Sequence, residues 1–121
     1  MAEQADKQDE VVTTSTVHYK SGDIQMAAYL ARPKAKGTYP GLIVIQEWWG
    51  LNEHIKDIAR RFARDGYIAL APDLYSCLGH KVTADPNEAG RLMSSLKEEQ
   101  ALKDLQATSV QIGRASCRER V

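Results

Sequence analysis

The sequence predicts an α/β fold, with an antiparallel hairpin at the N-terminus, a parallel βαβ unit after it and a C-terminal helix. Three observations predict it. Two β-prone segments flank the turn signal Ser21-Gly22-Asp23. Two short apolar runs, Leu42 to Ile45 and Tyr67 to Ala71, flank a stretch of helical period. Asp85-Pro86-Asn87-Glu88 then sets a helix start ahead of a further apolar stripe.

The elements follow in order. Val12 to Tyr19 is rich in threonine and valine and reads as a strand. In Ile24 to Arg32, Ile24, Met26, Ala28 and Leu30 share one face at period two, which makes the second strand of the hairpin. Pro33 to Pro40 is a loop carrying Lys34, Lys36 and Gly37. Leu42-Ile43-Val44-Ile45 is apolar on both faces, as a central parallel strand is. Asn52 suits the N-cap of a helix whose apolar side is Ile55, Ile58, Ala59, Phe62 and Ala63, with Arg60, Arg61 and Arg64 on other faces. Gly66 supplies a left-handed residue after it. Tyr67 to Ala71 is a second buried strand, ended by Pro72-Asp73. Strand, helix and strand form a right-handed crossover.

Tyr75 to Ala84 is a loop. Asp85 then caps a helix with Pro86 at its first position and Glu88 at its third. Ala89, Leu92, Met93 and Leu96 form its stripe. The period falters at Lys97-Glu98-Glu99-Gln100 and resumes at Ala101, Leu102 and Leu105, so a bend or two helices are expected between Asp85 and Val110.

Composition excludes several functions. Basic and acidic residues balance at 16 each, with no basic stripe for nucleic acid and no acidic tail. No apolar run approaches the ~20 residues of a membrane span. Residues 1–11 read as a flexible tail; Met1 to Glu10 lacks the apolar core of a signal peptide, so a cytoplasmic location is expected. Cys77 and Cys117 form neither metal spacing nor a disulfide framework.

Ile112 to Val121, "IGRASCRERV", shifts abruptly to three arginines and a cysteine and continues no helical period. The codons ATC GGA AGA GCG TCG TGT AGG GAA AGA GTG would encode it, a string that looks like a common short-read sequencing adapter read in frame. Residues 112–121 are therefore expected to be a non-native tail that packs on nothing, with the natural protein continuing differently after Gln111. The rival is a genuine basic tail. Without these ten residues the charge balance becomes 13 basic against 15 acidic.

Sites in open α/β sheets lie beyond the C-terminal ends of the parallel strands, which points to Glu47 to Asn52 and Asp73 to His80. The first segment holds no G-x-G-x-x-G and the chain has no P-loop, which argues against nucleotide binding. A carboxylate ending an apolar run is costly to bury, so Glu47 needs a reason. The hairpin, then "GLIVIQEWWGLNEHIKDIARRFARDGYIALAPDLY", then "DPNEAGRLM", resembles the dienelactone hydrolase family of α/β-hydrolases from Val12 to Val110. The resemblance lies in Gln46-Glu47 at the strand end, Gly50 with Asn52, and Pro72-Asp73-Leu74-Tyr75.

That resemblance implies a truncated α/β-hydrolase fold, residues 12–111 being its N-terminal part. It implies hydrolysis of a small lactone or carboxylic ester by a cysteine on a G-x-C-x-G turn, with a later aspartate and histidine, and with neither metal nor organic cofactor. The nucleophile and both triad partners are absent here. Glu47 matches the family's strand-end glutamate, which contacts the cysteine at rest and gates its thiolate; the rival is a carboxylate capping backbone N–H groups. Trp48 matches the residue whose backbone N–H joins the oxyanion hole, while the two indoles pack beside the sheet end. Arg91 lies in the region of the family's substrate arginines, although its spacing differs and solvated helix surface is its rival.

The remaining candidates read as structural. Cys77 in "YSCLG" has a tyrosine where a nucleophile elbow needs a small residue, so a half-buried loop thiol is expected. Asp73 caps its own turn, His18 and His54 are structural, and His80 has no assigned role. The alternatives are a serine esterase of the same fold, or a catalytically dead fragment or binding module. The family's strand order puts the strand of residues 67–71 between the hairpin and the strand of residues 42–46. The far side of the latter then lacks its next strand, so this chain is expected to self-associate through that edge and to show no esterase activity.

Overall fold

The computed structural model describes residues 11–116 of the chain, leaving residues 1–10 of the expected tail and Cys117 outside the described residues. Strands β1 (Val12–Ser21) and β2 (Ile24–Pro33) pair antiparallel in full register, from Val12 opposite Pro33 to Ser21 opposite Ile24. Gly22 turns the chain between them at φ +60°. Strand β3 (Gly41–Ile43) leads through a loop to helix α1 (Glu53–Arg64), strand β4 (Ile68–Pro72) and a 3₁₀ turn (Ser76–Leu78). Helices α2 (Pro86–Ser95) and α3 (Glu98–Ser116) follow. The sheet order is β1-β2-β4-β3, with β2 antiparallel and β3 parallel to β4. The expected hairpin and βαβ unit are both present, with the second parallel strand lying between the hairpin and the first.

Local signals set the boundaries of α1. The Asn52 side chain accepts from the Ile55 N–H at 3.2 Å, Glu53 lies in the first turn, and Arg61 and Arg64 lie in the last. Gly66 follows at φ +100°. The expected N-cap at the next helix start is also found, with Asp85 accepting from the Asn87 N–H at 3.2 Å and Pro86 in the first turn, but Glu88 does not complete a capping box, since the Asp85 N–H bonds Thr83 Oγ1 at 3.0 Å instead. The chain becomes extended at Leu96, so the faltering period marks a break between two helices rather than a bend.

Side chains alternate across a strand, and β4 is covered on both sides as a result. Ala69 and Ala71 meet α1 through Ile55, Ala59 and Ala63, together with Val12, Ala31 and Val44. Five of those contacts are alanines, Ala31, Ala59, Ala63, Ala69 and Ala71, all fully buried. Leu70 faces the other way, into Tyr19, Met26, Ala28 and Leu74, where Leu105 and Ile112 of α3 also pack. Met93, expected in the α2 stripe, is exposed.

Three features depart from the sequence reading. The apolar run 42–45 is neither a full strand nor buried on both sides. The Val44 N–H still bonds Leu70 O at 2.9 Å, but Ile45 is 52% exposed. The strand lies at the sheet's edge, and no neighbour covers its far side among the described residues. The segment from Ile112 does continue a helix, since α3 runs to Ser116, and Ile112 packs on the core. Ile112 stands four residues after Thr108, which stands three after Leu105, so the inward stripe continues through a polar position.

Third, the seat of α3 is partly polar. Asp104 and Thr108 are both 0% exposed. Asp104 Oδ1 accepts from Ser21 Oγ at 2.6 Å and Gln100 Nε2 at 2.8 Å. Thr108 donates its one hydroxyl proton to Asp104 O at 2.7 Å, which leaves Tyr19 to donate to Thr108 Oγ1 at 2.7 Å. Burial, aided by the nearby Asp104, pushes the Tyr19 phenol above its usual pKa, in keeping with that role. Asp104 Oδ2 is buried without a partner among the described residues.

Candidate active site

Because β3 and β4 are parallel neighbours, their C-terminal ends open onto the same edge of the sheet. The chain leaving β3 makes a four-residue turn, Glu47 to Gly50, closed by the Gly50 N–H on Glu47 O at 3.1 Å. Gly50 has φ +96°, and a Cβ there would run into the carbonyl oxygen of Lys81. Glycine is thus needed twice over, for its dihedral and for the close pass of a second loop.

This closure aims a donor. In a trans peptide the C=O and the following N–H point in opposite directions. Glu47 O is turned into the ring by Gly50, so the Trp48 N–H of the same peptide points out of it. Among the described residues no acceptor pairs with that N–H. An outward, unpaired backbone donor beyond a parallel strand's end is what an oxyanion hole requires.

Four contacts hold the turn to the segment after β4. Gln46 Oε1 accepts from the Leu74 N–H at 2.9 Å, and Tyr75 donates its hydroxyl to Trp48 O at 2.9 Å. The Thr83 N–H reaches Trp49 O at 3.0 Å, and Gly50 abuts Lys81. The Trp48 and Trp49 rings meet edge to face with centroids 5.1 Å apart. Trp48 also lies over Gly90 of α2, where an added Cβ would stand 4.0 Å from the indole. Packing of the indoles and presentation of the backbone N–H therefore coexist.

Glu47 is exposed, and its carboxylate accepts no hydrogen bond among the described residues. The capping alternative thus finds no bond to support it. Arg91 is exposed on α2 and makes no ion pair among the described residues. Asp73 is buried and does cap its turn, Oδ1 accepting from the Tyr75 N–H at 3.0 Å. Its Oδ2 lies 3.1 Å from Nδ1 of His80, which gives that histidine the partner that sequence reading could not. His18 and His54 are exposed, on β1 and in the first turn of α1.

Cys77 is half-buried in the 3₁₀ turn. Burial pushes its thiol above the usual pKa, and the negative charges of Asp104 and Asp73 push the same way. No hydrogen bond joins its sulfur to His80 among the described residues. A thiol held neutral, away from a base, is a poor nucleophile. Among the described residues no three His, Cys, Asp or Glu side chains group to hold a metal ion. No described helix is long and apolar enough to cross a membrane.

Sequence reading singled out Pro72-Asp73-Leu74-Tyr75 as a motif but gave Tyr75 no partner and Gln46 no bond. The signal available was weak, a tyrosine and an amide at the ends of two adjacent strands.

Comparison with known proteins bears on this arrangement. The model of the dienelactone hydrolase family matches residues 26–120, a span that runs past Gln111. A Synechocystis protein described as "Putative carboxymethylenebutenolidase" is 40% identical over 102 residues, covering 80% of this chain and 42% of that protein. "Protein usf" of Aquifex pyrophilus is 41% identical over 85 residues, 68% of this chain and 35% of the relative. The crystal structure of a Klebsiella pneumoniae protein described as "Putative Dienelactone Hydrolase" superposes with a TM-score of 0.77 at 36% identity, covering 87% of this chain and 45% of that one. The chain thus spans less than half the length of each of these three proteins.

Proposed function

Because the chain belongs to the dienelactone hydrolase family, we propose that it forms the N-terminal portion of an enzyme that hydrolyses a small lactone or carboxylic ester through a cysteine supplied by the rest of the protein. The observation that carries this reading is the unpaired Trp48 N–H projecting from the turn beyond β3. The thiolate attacks the carbonyl carbon, and the π pair moves onto oxygen. That oxygen is held by the Trp48 N–H and a second N–H from outside this chain. The tetrahedral centre collapses, the alkoxide leaves, and water hydrolyses the thioester.

Glu47 carries the gating role in this scheme. Its exposed carboxylate is free of competing bonds and stands one peptide from the donor. Beside a resting cysteine such a charge favours the neutral thiol, and on substrate binding it can receive the proton. Arg91 is the residue of this chain proposed to meet a substrate carboxylate, and small esters and lactones are the proposed substrates.

The test is burst kinetics of the longer protein with p-nitrophenyl acetate, before and after alkylation with iodoacetamide. A burst lost on alkylation is expected. A burst that survives would assign a serine nucleophile on a G-x-S-x-G turn instead. No turnover at all would leave a binding module as the better reading.

A further inference from the structure

An oxyanion donor works only if held within ~0.5 Å and ~10–20° of its productive direction. The turn that carries Trp48 lies beyond the paired residues of β3 and beyond the bond of the Val44 N–H to Leu70 O, so the β3–β4 ladder does not hold it. Two peptide planes meet at the Trp48 Cα. The first is anchored at Glu47 O by the Gly50 N–H, and the second is anchored at Trp48 O by the Tyr75 hydroxyl, 27 residues away in sequence. Tyr75 is itself fixed. Its side chain is fully buried, its N–H is held by Asp73 Oδ1, and its carbonyl accepts from Leu78 at 2.9 Å and His80 at 2.8 Å.

We propose that Tyr75 is a positioning residue for the oxyanion hole, its hydroxyl clamping the Trp48 carbonyl so that the central peptide of the turn keeps one orientation. This rests on the ester-hydrolase reading above. The central peptide of a four-residue turn can flip by opposite rotations of the two dihedrals that flank it, leaving the ends in place. A flip would swing the negative end of the Trp48 carbonyl out of its seat on the buried phenol, next to the N–H that must meet an oxyanion. The clamp holds that dipole turned into the protein. Burial, with the charge of Asp73 adding to it, keeps the phenol pKa above its usual value, so the hydroxyl remains a donor through neutral pH.

The test pairs kinetics of the longer protein with its NMR spectrum. In the longer protein Tyr75→Phe should lower kcat roughly tenfold with KM changed less than about twofold, a part of the ~10²–10³ lost with a whole oxyanion donor. Tyr29→Phe, which also loses one tyrosine hydrogen bond, to Arg60 at 2.9 Å, should leave kcat unchanged. An unchanged kcat in Tyr75→Phe, a loss confined to KM, or an equal loss in both variants overturns the proposal. In the unmutated longer protein the Tyr75 hydroxyl proton should appear as a slowly exchanging resonance coupled to the Trp48 carbonyl carbon, a readout that needs no variant to fold. Its absence overturns the clamp. Its presence alongside a longer protein with no turnover would sink the ester-hydrolase reading while leaving the turn's anchor in place.

Discussion

Replacing Gly50 with alanine should destabilise the fold more than the same change at Gly66, although their backbones are nearly alike, with φ +96° and +100°. A left-handed L-residue costs about 1–2 kcal/mol at either position. At Gly66 nothing lies within 4 Å of the new Cβ, so the cost ends there. At Gly50 the Cβ runs into Lys81 O, with Lys81 C and Val82 Cα each 3.3 Å away. All three are backbone atoms and cannot rotate aside. The loop through Lys81 must withdraw, which strains or breaks the Thr83 N–H bond to Trp49 O at 3.0 Å. Losing that bond adds about 1 kcal/mol. The expected losses are thus about 1–2 kcal/mol for Gly66→Ala and about 2–4 kcal/mol for Gly50→Ala, once displacement of the loop is included. Urea unfolding followed by far-UV circular dichroism measures both, with an unchanged slope required for the comparison. Equal losses, or a milder effect at Gly50, would refute the close approach as the reason for that glycine.

Four further outcomes are expected. Glu47→Gln in the longer protein should slow the burst phase with p-nitrophenyl acetate while leaving circular dichroism unchanged; an unaltered burst would remove the proposed gate. Asp104→Ala should cost about 2–4 kcal/mol, because two hydrogen bonds to a buried carboxylate go at once, whereas Asp104→Asn should cost less by keeping an acceptor and removing the buried charge. Urea midpoints of the two variants decide between them, and an equal loss would argue that Oδ1 is not the working oxygen. The chain should self-associate through the open edge of β3, and Ile45→Lys should raise its monomer fraction in sedimentation velocity; a monodisperse parent chain would contradict this. Finally, we propose that residues 112–121 are adapter-derived, so the source gene should diverge after the Gln111 codon. Recovering the ten codons from the genome would show that the helix through Ile112 is native.

The parts of the fold legible in the sequence were those encoded within a few residues. Asn52 and Asp85 cap helices because an N-cap needs only a side-chain acceptor two or three residues before an N–H. The apolar runs around α1 were legible as a βαβ unit because their period is local. The seat of α3 was not. Asp104 and Thr108 face inward, and a polar residue at an inward position reads as a broken stripe unless its partners, Ser21 and Tyr19, are known to lie 83 and 89 residues earlier. The same blindness ended the helical reading at Val110, since Ile112 continues a stripe that passes through Thr108. Of the site, the positions of Glu47 and Trp48 at a strand end were readable by resemblance. The bonds from Tyr75 to Trp48 and from Leu74 to Gln46 were not, because they join loops whose meeting depends on the whole sheet.

The alanine seam between α1 and the sheet has a consequence for how this protein can change over time. Ala31, Ala59, Ala63, Ala69 and Ala71 leave no slack, and an alanine has no rotamer by which to absorb a neighbour's growth. One added methylene anywhere along the seam must lift the helix as a rigid rod. Asn52, at the tip of that rod, is tied to the turn by its N–H on Gly50 O at 3.0 Å, so the lift arrives at the Trp48 peptide. The opposite side, with Met26, Leu70, Leu74 and Leu105, can trade one long side chain for another and refill the gap. Mutational drift should therefore be lopsided, tolerated under α3 and purged under α1, and a library randomised at both sets of positions would recover folded chains almost solely from the first.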